Sequence, residues 1–288
     1  LSNAYACNGF ELELECEDDI CCSTHVPAFI INDVCHCGWS IDGAGIEGTT
    51  AANVCSCAIG QPWIFNGSGS VTFSGPATLI DNLVIFGHNM ESATITTTPL
   101  TQFGGGAAQS GRCTDIICDG GYLRPITVSF ADVPESVDSV TVTIDATSTD
   151  GGPVCIDQII LGRKFFLPSN ALLTTFINPF TGTDYEYEIK ESDCGLLSRR
   201  SRRVAVPLAV EIDCINERYA FEQLRPLMRY LRNHQVVFYW SINNAPQEVF
   251  VGWLDGVQSG AVYEDANTQM ASIQARGFIS QLQDKVAA

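Results

Sequence analysis

Two segments of this chain place cysteines one residue apart. In "NDVCHCGW" Cys35 and Cys37 follow Asn32 and Asp33, and in "ANVCSCAIGQPW" Cys55 and Cys57 follow Asn53. Each pair is followed by a tryptophan, Trp39 and Trp63. In an extended strand such a pair sets both sulfurs on one side, about 7 Å apart. That is too far to close on itself, but either sulfur can bridge to a facing strand. His36 would then point to the opposite face. Four thiolates could also hold zinc or an iron–sulfur cluster. Metal ribbons, however, leave two or more residues between ligands so that the turn folds the thiolates inward. Disulfides, unpaired thiols and metal ligation all stay open, with the spacing favouring the first over the last.

The chain has 13 cysteines in 288 residues, eight of them in the first 57. Besides the two pairs, Cys16, Cys21, Cys22, Cys113 and Cys118 are candidates for bridges or thiols. The odd total means that one sulfur is free, intermolecular or metal-bound. An oxidising final environment is expected from this density. No basic stretch followed by an apolar one opens the sequence, and there is no initiator Met, so a processed, engineered or incompletely represented N-terminus is expected.

Other chemistry is sparse. There is no G-x-S-x-G, Walker loop, H-E-x-x-H or dinucleotide fingerprint. Of His25, His36, His88 and His234, only His88 in "FGHNM" suggests a base, and a turn histidine satisfied by backbone accounts for it better. Glu186 and Glu188 share one side of "YEYEIK", as a solvated strand face or a glycosidase pair would. The chain is therefore expected not to be an enzyme and to hold no cofactor, zinc or iron–sulfur at the cysteines being the one exception. Trp39 and Trp63 could stack on sugar rings, although tryptophan more commonly fills a core.

The net charge is −18, from 33 acidic and 15 basic side chains. Such a chain is repelled by phosphate backbones and by anionic membranes, and no apolar stretch is long enough to span a bilayer. Two local runs oppose each other: "ELELECEDD" (11–19), and "SRRSRR" with Arg199, Arg200, Arg202 and Arg203. They suit charge-complementary packing between subunits, and the arginines are candidate interface residues.

The elements that must position these residues are mostly strands. Alternation in "SVTVTID" predicts Val140, Val142 and Ile144 on one face and Thr141 and Thr143 on the other. "SVTF", "TLIDNLVIFGHN" and "SATITTT" read as further strands, punctuated by glycine pairs. After a Cys-rich acidic segment (1–20), a jelly-roll-like β-sandwich is expected over 21–165 and a smaller α+β domain over 166–288. One amphipathic helix is predicted in "NERYAFEQLRPLMRYLRNH", with Phe221, Leu224, Met228 and Leu231 as its apolar face. Pro226 should kink or restart it.

"AANVCSCAIGQPWIFNGSGSVTFSGPATLIDNLVIFGHNMESATITTT" resembles the opening, galactose-binding-like sandwich of tailed-bacteriophage virion proteins, through Trp63, Val71–Phe73, Ile85, Gly87, His88 and Asn89. "CIDQIILGRKFFLPSN" is similar to the exit from that sandwich at Leu161, Gly162, Arg163 and Pro168, and "ESDCGLLSRRSRRVAVPLAVEI" resembles the tail-associated domain that follows. The likeness covers about residues 50–280, and the first 50 depart from it. It implies a structural subunit of the distal tail or baseplate, assembled in the host cytoplasm and carried in the virion. It also implies a sixfold or threefold ring of this chain with other tail proteins as neighbours, and no catalytic residues. A glycan-binding module touching a host surface is the alternative.

Overall fold

The computed structural model describes residues 27–36, 38–46, 48–56, 61–102, 122–123, 125–131, 136–167, 172–177, 179, 185–191, 197–203, 205–241, 248–255, 260–263, 268–279 and 281–282. The protein is mainly β, a sandwich with one substantial helix, and its described strand pairs are antiparallel.

The first half supplies β1 (Ala28–Ile31), β2 (Ser40–Asp42), β3 (Trp63–Phe65), β4 (Ser68–Thr78), β5 (Asn82–His88) and β6 (Met90–Thr98). It continues with β7 (Thr101–Gln102), β8 (Tyr122–Leu123), β9 (Ile126–Ala131), β10 (Val137–Ser148) and β11 (Val154–Phe166). Strands β2, β4, β10 and β6 form a four-stranded sheet. Its inner face is the predicted alternation: Val140, Val142 and Ile144 are buried with Val71, Phe73 and Ile95. Each such side chain withdrawn from water stabilises the fold by about 1.5–3 kcal/mol. The outer face is a hydroxyl ladder in register, with Thr72–Thr141 at 2.9 Å, Ser70–Thr143 at 3.3 Å and Ser92–Thr147 at 2.7 Å.

The second half adds β12 (Leu172–Ile177), β13 (Tyr185–Glu191), β14 (Leu197–Arg203), β15 (Val206–Asn216), β16 (Val236–Tyr239), β17 (Val249–Leu254), β18 (Gly260–Tyr263), β19 (Thr268–Phe278) and β20 (Gln281–Leu282). The large sheet runs β12-β15-β19-β17-β16-β1-β11-β5-β9-β7, with β3 beside β11 and β18 beside β19. Four-residue β1 is the seam. Ala28 pairs with Phe166 of β11 on one side and with Tyr239 of β16 on the other, so one sheet passes through both halves of the chain.

Register sorts the two faces. Phe29 pairs with Phe165 and Ile31 with Arg163, and alternation carries the same face along β11 to Leu161 and Ile159. The four-stranded sheet covers one half of that face, closing over Leu83, Ile85, Ile159 and Leu161. The helix covers the other half, closing over Phe29, Phe238, Phe250, Val210 and Ile273. Ile30, Val84, Phe86, Ile160, Val237 and Val251 lie on the opposite face and are also buried.

The helix has three parts: an α-turn (Glu217–Tyr219), a π segment (Ala220–Leu224) and an α-helix (Arg225–Asn233). Pro226 has no N–H to give to Glu222, and its ring would strike that carbonyl in α register. The turn before it widens instead, and Arg225 N donates to Ala220 O, five residues back. The extra residue turns the preceding segment about the axis. Ala220, Leu224, Leu227, Met228 and Leu231 face the core, while Phe221 is 41% exposed. The expected restart at Pro226 is present, but Phe221 does not belong to the apolar face.

Candidate functional site

Among the described residues the two Cys-x-Cys segments meet at a Cys35–Cys55 bridge, with the Cα atoms 5.2 Å apart. Neither cysteine is on a strand, which corrects the extended geometry expected from spacing. Cys35 lies on a helical turn, Asp33–His36, and buried Asn32 starts that turn by accepting the Cys35 N–H at Oδ1, 3.2 Å. Cys55 ends a 3-10 helix, Ala51–Cys55. The Asx residues of the motif are turn-forming: Asn53 Nδ2 donates to Pro62 O at 3.2 Å and holds the second segment closed. Val34, Ala51 and Val54 enter the sandwich core on either side of the bridge. Cys16, Cys21, Cys22, Cys37, Cys57, Cys113 and Cys118 lie outside the described residues. Half-buried Cys155, on β11, sits beside Asn89, whose Oδ1 accepts the Cys155 N–H at 2.8 Å. Among the described residues no three His, Cys, Asp or Glu side chains converge as a metal site would require.

The two candidate tryptophans part company. Trp63 is wholly buried; its Nε1 donates to Ala44 O at 2.8 Å, and its ring lies 4.4 Å from that of Phe65. It is a core residue and has no face to offer a sugar. Trp39 is half-buried over Gly75, where an added Cβ would come within 2.4 Å of the indole. Trp253, which the sequence did not single out, is 41% exposed on β17 opposite Arg276.

His88 is buried, and its Nδ1 accepts the Met90 N–H at 3.2 Å, so that nitrogen is occupied by backbone rather than poised as a base. The preceding Gly87 has φ +68°, and an added Cβ would reach 2.5 Å from Asp157 Oδ2. The glycine in "FGHN" is thus required by a left-handed backbone pressed against Asp157.

Three polar clusters tie the large sheet together. Fully buried Tyr239 takes a hydrogen bond from Asn82 Nδ2 at 3.3 Å and shares another with Thr127 at 2.9 Å. Burial pushes its phenol well above the ordinary value. Gln235 Nε2 donates to Gln158 Oε1 at 3.1 Å, joining β11 to the start of β16. Nearer the surface, Asp81 Oδ1 accepts the Lys164 N–H at 2.9 Å and Lys164 Nζ donates to Ser129 at 3.1 Å. Burial raises the Asp81 carboxyl and lowers the Lys164 ammonium. These groups lock neighbouring strands.

The arginine run is a strand rather than a loop. β13 and β14 pair with each other as a separate two-stranded ribbon. Their register sets Glu186 opposite Arg202 and Glu188 opposite Arg200, whereas Arg199 stands opposite Ile189 and Arg203 opposite Tyr185. The two carboxylates weighed as a glycosidase pair therefore stand across from two of the four arginines. Four further arginines, Arg218, Arg225, Arg229 and Arg232, are exposed on the helix. Their spacing was visible in the sequence, on the polar side of the stripe used to find the helix.

No protein-family model matches this chain, and a search of curated proteins finds no match either. The candidate surfaces accordingly stand on their own geometry.

Proposed function

We propose that this chain is a structural subunit of a bacteriophage tail, forming a sixfold or threefold ring at the distal tail or baseplate and acting through contacts with its own copies and with other tail proteins. The observation that carries the reading is the β13–β14 ribbon. Its strands pair only with each other among the described strands. Its register matches Arg200 and Arg202 to glutamates within the ribbon and leaves Arg199 and Arg203 facing uncharged partners. In a chain of net charge −18, a neighbouring copy is the natural source of carboxylates for those two.

The test separates the two pairs. Arg199→Glu with Arg203→Glu should disrupt the ring seen by light scattering and electron microscopy while leaving the melting temperature unchanged. Arg200→Glu with Arg202→Glu should instead lower stability, because it sets like charges directly opposite each other. A wild-type chain that stays monomeric up to high concentration, alone and with isolated tails, would sink the reading.

A second reading, a module contacting a host surface glycan, is favoured by the partly open indoles of Trp39 and Trp253. It requires glycan binding that Trp39→Phe retains and Trp39→Leu loses with the fold intact. Equal binding by both variants removes Trp39 from that role.

A further inference from the structure

The polar cluster nearest the surface pairs an amine with a hydroxyl. Lys164 Nζ donates to Ser129 Oγ at 3.1 Å. Both side chains are half-buried, so each keeps part of its surface in water. Register brings them together on the face of the large sheet away from the helix. Lys164 of β11 stands opposite Ile30, which is buried on that face. Ser129 of β9 stands opposite Asn82 of β5, two positions along from the pair Thr127–Val84, and Val84 is buried on the same face.

An amine within hydrogen-bond reach of a serine hydroxyl has the geometry of general-base activation. It acts as a base only while it is neutral. Asp81, whose Oδ1 accepts the Lys164 N–H at 2.9 Å, favours the ammonium, and burial disfavours it. Burial prevails and lowers the Lys164 ammonium. Among the described residues Lys164 Nζ makes no ion pair. Its contact is with the neutral hydroxyl of Ser129 instead.

The surroundings supply two more parts of a site. Asn82 is wholly buried on the strand beside Ser129, and directly opposed residues set their Cβ atoms about 4.5–5.5 Å apart. Its Nδ2 gives one hydrogen to Tyr239 Oη at 3.3 Å and carries a second. Its Oδ1 meets no donor among the described residues. A buried amide with unspent hydrogen-bonding capacity therefore stands next to the hydroxyl. Phe166, two residues beyond Lys164 on the same side of β11, is 47% exposed and offers an apolar surface. The net charge of −18 disfavours an anionic substrate.

We propose that Ser129 and Lys164 form an acyl-transfer site, with Ser129 as nucleophile and Lys164 as its base, for a neutral ester whose apolar acyl group rests on Phe166. Lys164 takes the Ser129 proton as Oγ bonds to the carbonyl carbon, and the carbonyl oxygen receives the displaced electron pair beside Asn82 Nδ2. That pair returns as the bond to the leaving oxygen breaks, and the Lys164 ammonium protonates the departing alkoxide. Water then attacks the acyl-serine. Lys164 takes the proton of the water, the bond to Ser129 breaks, and Oγ recovers a proton from Lys164. Ester and water become acid and alcohol, with both residues restored. The site needs no ring, so it stands or falls separately from the tail-subunit reading.

The test treats the full chain with an alkyl fluorophosphonate, whose phosphorus a serine oxygen attacks with loss of fluoride, and maps the label by peptide mass. Release of p-nitrophenol from p-nitrophenyl butyrate is followed in parallel. The expected result is a label on Ser129 and ester hydrolysis that Ser129→Ala abolishes. Lys164→Arg keeps the positive charge and removes the base, so it should slow both reactions about a hundredfold or more, with a melting temperature close to that of the wild type. A folded wild-type chain that takes no label at Ser129 overturns the proposal whatever the variants do. Undiminished labelling of Lys164→Arg overturns the role of the lysine. Hydrolysis that persists in Ser129→Ala, or a labelled Ser129 without ester turnover, overturns the assignment of acyl transfer to this pair.

Discussion

Arg225 lies across the ring of Phe221, its Cζ 3.6 Å from the ring centroid, on the solvent side of the helix. That contact places Phe221 outside the core and makes the phase of the helix measurable. Phe221→Ala should cost less than about 1 kcal/mol, chiefly the lost cation–π contact. Leu224→Ala, which empties a buried position, should cost about 2–5 kcal/mol. Chemical denaturation of the two variants checks this; equal costs would mean that the π segment does not set the phase.

The Cys35–Cys55 bridge closes a loop of 20 residues. Constraining a loop of that size in the unfolded chain is worth about 3 kcal/mol. Cys35→Ser with Cys55→Ser should lose about that much stability yet keep the fold, because Val34, Ala51 and Val54 still enter the core. A reductant should destabilise the wild-type chain more than this variant, and equal sensitivity would show that the bridge is not formed in solution.

Gly87 and Gly151 both have positive φ, at +68° and +72°, but only Gly87 is crowded. Gly151→Ala should therefore cost about 1–2 kcal/mol for the backbone conformation alone. Gly87→Ala carries that cost and must also displace Asp157, so its loss should be clearly the larger of the two. Thermal melts of the pair decide the point.

Tyr219 is half-buried, and desolvation pushes its phenol up to about 12 from an ordinary 10.0. The folded state holds this proton more tightly than the unfolded chain does. Its contribution is complete below about pH 10 and is lost as the pH rises through about 12. Denaturation at a series of alkaline pH values should show a shallower fall for Tyr219→Phe than for the wild type. An unchanged slope would place the alkaline sensitivity elsewhere, with buried Tyr239 the next candidate.

Local patterns were legible wherever one side of an element meets the core and the other meets water. Val140, Val142 and Ile144 against Thr141 and Thr143 predicted both faces of β10 correctly, because strand side chains alternate without exception along a regular ladder. The hydroxyl ladder outside and the restart of the helix at Pro226 follow from the same kind of local rule. Spacing failed at the cysteines: an Asx-capped turn places Cys35 where a strand was expected, and the choice depends on Asn32 reaching a backbone N–H three residues on.

What the sequence determined by itself is the alternating strands such as β10, the amphipathic helix and the sign of each charged run. The tertiary structure alone decided which strands meet. "AFII" at β1 is a short apolar run with no periodicity to read, yet its pairing with both Phe166 and Tyr239 makes one sheet of the two halves. Pairing across such separations is chosen by burial on both faces together, which no local window contains. The same holds for the ribbon, where the chain writes glutamates and arginines apart and only the register of β13 on β14 sets Glu186 against Arg202 and leaves Arg199 and Arg203 facing uncharged partners.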